Sequence, residues 1–360
     1  MPVPYQVELF DALSASEKIE LTVLYSLLQH SSRSWITPKI AHEYRVEGEL
    51  NEAAARLLVE RQDLVVFSGY HPRFIRSLIA HRDQLGKPWA FWGEKPGTIL
   101  PGWLGRYYRA LLLPELTDKH VQIWGIGAWA VAAYRSEYGQ DRDVVNIPYF
   151  SDLKRFLQID RLHSRTPVRR FLFSGSFIKR KGVDLLMKAF VALAQEVPNV
   201  ELDLIGDGPL RPQLEKMSRP IVSQVHFHGF RQWEELPKYY AKADVLCAPS
   251  CYDGWGLIIP EGLASGLLVV STNRTGAALD LVDTQTGWVV PAGQWEPLFE
   301  VMRAATLVSP DERISRIRRG RESVAPQDLS SGVDRILSAI DDSLAHWSTA
   351  GQTNSQIESQ

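Results

Sequence analysis

The run Pro249-Ser-Cys-Tyr-Asp253-Gly-Trp-Gly256-Leu-Ile-Ile-Pro-Glu261-Gly-Leu-Ala-Ser-Gly266-Leu-Leu-Val-Val-Ser271 follows the apolar stretch Val245–Ala248 and closes on a second one, Leu267–Ser271. It reads as strand, Gly-rich loop, helix and strand, the repeating unit of a parallel α/β sheet. A Gly-rich loop at the C-terminal end of such a strand offers backbone N–H groups where anionic and polyhydroxyl ligands bind best. Asp253 and Glu261, eight residues apart, can reach different parts of one ligand. Taken without its surroundings, the pair would suit a helix-capping Asp and a surface Glu as well.

Further strands are expected at Arg170–Ser174, Glu201–Ile205, Val225–His228 and Gly287–Val290. The first half repeats the scheme at Glu20–Tyr25, Leu64–Phe67, Trp89–Trp92, Val121–Trp124 and Val144–Ile147, with amphipathic helical patterns between them. The fold class is therefore α/β, with two Rossmann-like doubly wound domains. Their expected spans are 1–165 and 166–330, followed by a final helix over 331–347 and a disordered Ser/Thr/Gln-rich tail over 348–360. Pro2-Val-Pro-Tyr5 leads straight into the helical pattern Gln6–Leu13, so the N-terminal domain is expected to lack its first strand. A start codon assigned too late and a reduced domain both account for that.

At 360 residues, with 45% hydrophobic and 23% charged, the chain can build two ordinary globular cores. No apolar run approaches the roughly 20 residues of a membrane helix, and the N-terminus lacks a signal-peptide layout, so a cytoplasmic location is expected. The two cysteines, Cys247 and Cys251, have no second Cys or His pair at metal-ligand spacing, which points to reduced structural thiols and no metal. A net charge of -2 exerts no general pull on nucleic acid, although Lys154 to Lys181 concentrates nine Lys or Arg against the single acid Asp160.

Inside that basic stretch, Phe173-Ser-Gly175-Ser-Phe-Ile-Lys179-Arg-Lys181-Gly182 sets three consecutive cations where a strand gives way to a helix. Fixed cations there suit an anionic ligand. Ile205-Gly-Asp-Gly208, Val225-His-Phe-His-Gly229-Phe230, Leu236-Pro-Lys-Tyr-Tyr-Ala-Lys-Ala243-Asp244 and Asn273-Arg-Thr-Gly276-Ala-Ala-Leu-Asp280 follow in order. Gly206-x-Gly208 lacks the third glycine of a dinucleotide fingerprint, and His226 and His228 read as strand residues.

These ordered motifs resemble glycosyltransferase family four, the glycosyl transferases group one, whose hallmark is E-x7-E beside a Gly-aromatic-Gly-Leu turn. Asp253 stands where the family usually has its first Glu, and Ser176 where it often has Arg. The resemblance spans about Arg170 to Pro291 and, more loosely, the first half. It implies a GT-B fold, with an acceptor-side domain at 1–165 and a nucleotide-sugar-binding domain at 166–330.

By that resemblance Glu261 would hold the donor's ribose hydroxyls, while Asp253 and the amides of Gly254, Trp255, Gly256 and Leu257 would hold the transferred sugar. Lys181 would contact the diphosphate, with Arg180 or Lys179 standing in for the absent Arg and Gly175 and Ser176 forming the same loop. Gly208 would lie beside the nucleotide, and Gly229 and Phe230 against the base. His71, in Phe67-Ser-Gly69-Tyr-His71-Pro72, would reach the sugar from the first domain. Asp253, His71 and Lys181 are thus the expected catalytic residues.

The implied activity is retaining transfer of a sugar from a nucleotide diphosphate donor to a hydroxyl acceptor, without cofactor or metal. A glycan or lipid-linked acceptor, surface polysaccharide synthesis and peripheral association with the inner membrane face belong to the same expectation; nucleic acid does not. A sugar-nucleotide epimerase on this fold and a non-catalytic sugar-nucleotide binder are the alternatives.

Overall fold

The computed structural model describes residues 1–28, 36, 38–96, 102–161 and 166–357, without the side chains of 102 and 349–357. The chain divides into two compact units, one of residues 1–30, 37–149 and 330–360, the other of 31–36 and 150–329.

The first unit opens with α1 (Pro4–Ser14), β1 (Thr22–Tyr25), β2 (Glu43–Val46), α2 (Glu52–Arg61), β3 (Val65–Phe67) and α3 (Arg73–Gln84). It continues with β4 (Trp89–Gly93), α4 (Gly102–Leu112), β5 (Gln122–Gly125), α5 (Ala128–Tyr138) and β6 (Val144–Asn146). Strands β3, β4, β5 and β6 form a parallel sheet in that order, and β1 pairs with β2 in a separate two-stranded parallel sheet. No strand precedes α1. The strand expected at Glu20–Tyr25 therefore exists but stands outside the main sheet.

Trp89, Phe91 and Ile123, on one face of this sheet, pack with Leu78 and Ile79 of α3 in the unit's core. Beside it the guanidinium of Arg82, fully buried, donates to the carbonyls of Val59, Glu60, Gln62, Asp63 and Pro88. One side chain thus satisfies buried carbonyls at the end of α2 and before β4 that would otherwise cost about 1–3 kcal/mol each.

The second unit contains α6 (Lys154–Leu157), β7 (Arg170–Ser174), α7 (Val183–Glu196), β8 (Glu201–Ile205), α8 (Arg211–Ser218), β9 (Val225–Gly229) and α9 (Leu236–Tyr240). There follow β10 (Val245–Ala248), α10 (Ile258–Ala264), β11 (Leu268–Thr272), α11 (Gly276–Leu281), β12 (Gly287–Val290), α12 (Glu296–Thr306) and α13 (Pro310–Val324). All six strands are parallel, in the order β12-β11-β10-β7-β8-β9. Counted within the unit this is 3-2-1-4-5-6, the doubly wound arrangement.

Its sheet is buried on both faces, so its strands are near-continuous apolar runs. Phe171, Phe173, Leu202, Leu204, Val245 and Val270 pack with Val183, Leu186, Met187, Phe190 and Leu193, a helical stripe on α7, and with Leu298 and Met302 of α12. On the other face α10 passes so near β10 that a Cβ at Gly262 would lie 2.5 Å from Leu246 Cδ2.

Two boundaries differ from expectation. The division falls at 149/150 and not at 165/166, because α6 belongs to the second unit: Phe156 is fully buried, with ring centroids 5.1 Å from Tyr240 and 6.4 Å from Trp233. Arg161 reinforces it, donating to the carbonyls of Ser265 and Tyr240. At the far end α14 (Leu329–Ile357) is one continuous helix, so the tail expected to be disordered from 348 is helical through Ile357; residues 358–360 lie outside the described residues. Apart from its first residue α14 is part of the first unit, where Trp347 donates to the Trp89 carbonyl at 3.1 Å and Ser343 to Gln122 at 2.6 Å.

A fragment of residues 150–329 should accordingly unfold in one cooperative thermal or denaturant transition. The shorter fragment 166–329 should be less stable by about 3 kcal/mol or more, the cost of removing one large buried aromatic. Equal stability of the two fragments would return the boundary to 165/166.

Candidate functional site

In an open parallel sheet, ligands bind outside the carboxyl ends of the strands where the winding reverses. Here that point lies between β7 and β10, which pair directly, Phe171 with Val245 and Leu172 with Leu246. The loops leaving these two strands carry the three consecutive cations and the acid pair.

After β7 the chain passes Gly175 and Ser176, makes a short turn over Lys179–Lys181 and reaches Gly182, whose φ of +67° is left-handed. A Cβ at Gly182 would sit 2.0 Å from the Pro249 carbonyl oxygen, so only glycine lets the two loops approach this closely. Across the contact Cys251 donates its amide to the Arg180 carbonyl at 2.8 Å, and Arg180 Nη1 donates to the Tyr252 carbonyl at 2.8 Å. Lys181 Nζ lies 2.5 Å from Asp253 Oδ2, the two side chains being 21% and 13% exposed. Lys179 turns elsewhere, pairing with Asp184 at 2.5 Å. The three cations thus have three different partners, and only Lys181 meets the acid pair.

The acid loop is also held from its other side. Asp253 donates its amide to the Arg274 carbonyl at 2.8 Å and accepts from the Gly276 amide at 3.1 Å, forming a parallel bridge with Thr275. The Trp255 carbonyl accepts from Ala277 at 2.8 Å, and the Trp255 side chain is buried at 1% exposure. At Gly256, with φ +89°, a Cβ would lie 2.9 Å from Thr275 Cγ2 and 3.3 Å from Asp253 Oδ2. The amides of Gly254, Trp255, Gly256 and Leu257 donate to no group among the described residues.

Glu261 is not a surface acid: it is 1% exposed in the first turn of α10, and the fully buried Tyr240 donates its hydroxyl to Oε2 at 3.0 Å. Burial and, next, the Glu261 carboxylate push the Tyr240 phenol far above its ordinary value, so it stays protonated and donates. Nor does Asp253 cap α10, whose N-cap is Leu257 with no side-chain cap.

The remaining residues expected in this site follow the adjoining strands. Gly175 donates to the Ile205 carbonyl at 2.9 Å and Gly206 to the Gly229 carbonyl at 2.8 Å, which ties the loops of β7, β8 and β9 in sequence. Gly208 lies against Phe177, where a Cβ would meet the carbonyl oxygen at 2.8 Å, and Phe230 is 38% exposed just beyond Gly229. His226 and His228 bond to Glu201 and Asp203 at 3.1 and 2.6 Å, a cross-strand ladder on one face of the sheet. Cys247 and Cys251 are free thiols. No group of three or more His, Cys, Asp or Glu side chains among the described residues is placed to hold a metal ion.

The second unit therefore brings together every expected site residue except His71, which is in the first unit. There His71 is exposed and stacked on Tyr70, with ring centroids 4.5 Å apart, and lines a cavity of about 180 Å³ with Tyr70, Phe91, Glu94, Lys95 and Arg109. Arg109 is held by both Glu137 oxygens at 2.7 and 2.6 Å, and Lys95 sits 4.8 Å above the Trp129 ring. Two residues of the second-unit site had no assigned role in the sequence reading. Tyr240 lies 21 positions before Glu261, inside the Leu236–Asp244 motif, and Thr275 contributes through its backbone.

Residues 168–306 match the family described as glycosyl transferases group 1. The lipopolysaccharide core biosynthesis glycosyltransferase LpsE of Rhizobium meliloti is 28% identical over 202 residues, 55% of this chain and 57% of that protein. This chain thus spans little more than half the length of that curated relative. Among solved structures, a glycosyltransferase of Rickettsia africae superposes with TM-score 0.73 at 15% identity, covering 94% of each chain. Anabaena HepE, solved in complex with UDP, gives TM-score 0.73 at 14% identity, covering 95% of this chain and 97% of its own. The fold is GT-B, and the second unit is the part of the chain that is similar to the glycosyl transferases group 1.

Proposed function

We propose that the chain is a retaining glycosyltransferase using a nucleotide diphosphate sugar, with the donor seated on the second unit. The observation that carries this reading is the convergence at one switch point of a cation, a Gly-rich loop with undonated amides and a buried carboxylate. Lys181 takes the diphosphate, Glu261 the ribose hydroxyls with Tyr240 fixing its other side, and the 253–257 loop the transferred sugar. Gly229 and Phe230 border the base, and Gly175, Ser176 and Gly208 the phosphate side. Arg180 is turned onto the Tyr252 carbonyl, so its part is first to hold the loops together.

In the proposed reaction the acceptor oxygen bonds to the anomeric carbon on the face the nucleotide leaves. The carbon–oxygen bond to the diphosphate breaks, its electron pair goes to the diphosphate, and a phosphate oxygen receives the acceptor's proton. Lys181 stabilises the charge gained by the leaving group, the role that fixed cations fill best in a partly buried site. No metal is assigned to this reaction.

The same reading includes a glycan or lipid-linked acceptor and a peripheral seat on an anionic membrane surface. No helix among the described residues is long and apolar enough to cross a membrane. What supports the peripheral seat is α4, where Trp103, Tyr107 and Leu111, four residues apart, are 72%, 69% and 66% exposed. The helix carries Arg106 and Arg109 and no acid, and Glu137, the carboxylate beside it, is taken by Arg109. Exposed aromatics in line with an uncompensated Arg suit a lipid interface.

With a panel of nucleotide sugars, one donor should be hydrolysed or transferred by the wild type. Glu261→Ala and Lys181→Ala should each lower that rate about 100-fold or more. Binding without turnover would favour the non-catalytic binder. In vesicle sedimentation the chain should associate with vesicles containing anionic phosphatidylglycerol. Replacing Trp103, Tyr107 and Leu111 by Ser should weaken that association by about tenfold or more. Undiminished sedimentation of the triple variant would remove α4 from the membrane seat.

A further inference from the structure

We infer that Asp253 is a built-in competitor for the diphosphate on Lys181, displaced at little cost only when the diphosphate still carries its sugar. The inference rests on the donor-site reading above and adds to it how product is told from donor.

Asp253 has a short reach from a fixed backbone. Its amide and carbonyl are both bonded to the 274–276 loop, and only two side-chain torsions remain. The Lys181 backbone is anchored too, between an amide bonded to the Ile178 carbonyl and the left-handed Gly182 pressed on Pro249. The ammonium and carboxylate therefore meet at 2.5 Å whenever the site is empty of other anions. A diphosphate that recruits Lys181 takes the ammonium away from a fixed carboxylate and leaves two anions sharing one cation.

What happens next depends on the ligand. A nucleotide sugar sets its hydroxyls beside the 253–257 loop, so the released Asp253 carboxylate accepts hydrogen bonds from them, and one charge-assisted contact is exchanged for two. A nucleoside diphosphate has no such hydroxyls, and its anion faces a partly buried carboxylate with nothing to pair it, an arrangement that is strongly unfavourable. Asp253 thus favours donor over product and drives the spent diphosphate off as Lys181 returns to it. An Asp keeps its charge one methylene nearer the backbone than a Glu would, which suits a fixed competitor within reach of Lys181.

The test is calorimetric titration of the full chain with UDP, GDP, ADP and their glucose or mannose conjugates, using wild type, Asp253→Asn and Asp253→Glu, each also with Lys181→Ala. Asp253→Asn should bind the preferred nucleoside diphosphate about tenfold more tightly, the scale of a partly buried charge contact, and narrow the ratio of donor to product affinity. Asp253→Glu, which keeps the charge, should not tighten it, and the gain should shrink when Lys181 is Ala, because the competition for the ammonium is then gone and only the repulsion between the two anions is relieved. Thermal melts establish that each variant is folded, and Asp253→Ser removes the same charge should the Asn form fail. Equal or weaker diphosphate binding by the neutral variants overturns the inference alone. Absence of any nucleotide binding by the wild type overturns the donor-site reading together with it.

Discussion

The clasp between the β7 and β10 loops is the constraint on which the site depends. Gly182, in a left-handed conformation that side chains rarely adopt, lets the chain press on the Pro249 carbonyl, and the bonds joining Arg180 to Cys251 and Tyr252 close the gap. With the loops locked, Lys181 and Asp253 have no alternative but to meet. The backbone contacts bring together two loops that are 72 positions apart, so that the Lys181 ammonium reaches the Asp253 carboxylate.

Much of this was legible in the sequence, for identifiable reasons. The second unit's strands are buried on both faces and read as continuous apolar runs, so Arg170–Ser174, Glu201–Ile205 and Val245–Ala248 coincide with β7, β8 and β10. Strand β2 gave no such signal, since Glu43, Tyr44 and Arg45 are exposed and only Val46 turns inward. The unit boundary was misplaced because Phe156 and Arg161 sit in a charged stretch that looks like a linker. Their partners, Tyr240, Trp233 and Ser265, are some 80 to 100 residues away. At the tail, composition suggested disorder, while α14 runs on to Ile357.

The site shows the same contrast. Glu261 stood out by its spacing from Asp253, yet its burial and its bond from Tyr240 arise from tertiary packing that no local pattern encodes. The three cations looked equivalent in sequence and are not: Asp184 draws Lys179 away, the Tyr252 carbonyl engages Arg180, and Lys181 alone reaches the acids. Lys181 is the one cation of the three that pairs with an acid of that loop, and this makes its partner consequential.

The most direct measurement is a crystal structure of the chain with a nucleoside diphosphate bound. The account predicts diphosphate oxygens within hydrogen-bond distance of Lys181 Nζ, ribose hydroxyls on Glu261, and the ammonium drawn off Asp253. A nucleotide bound elsewhere, or one at this switch point with the Lys181–Asp253 pair intact, would contradict it.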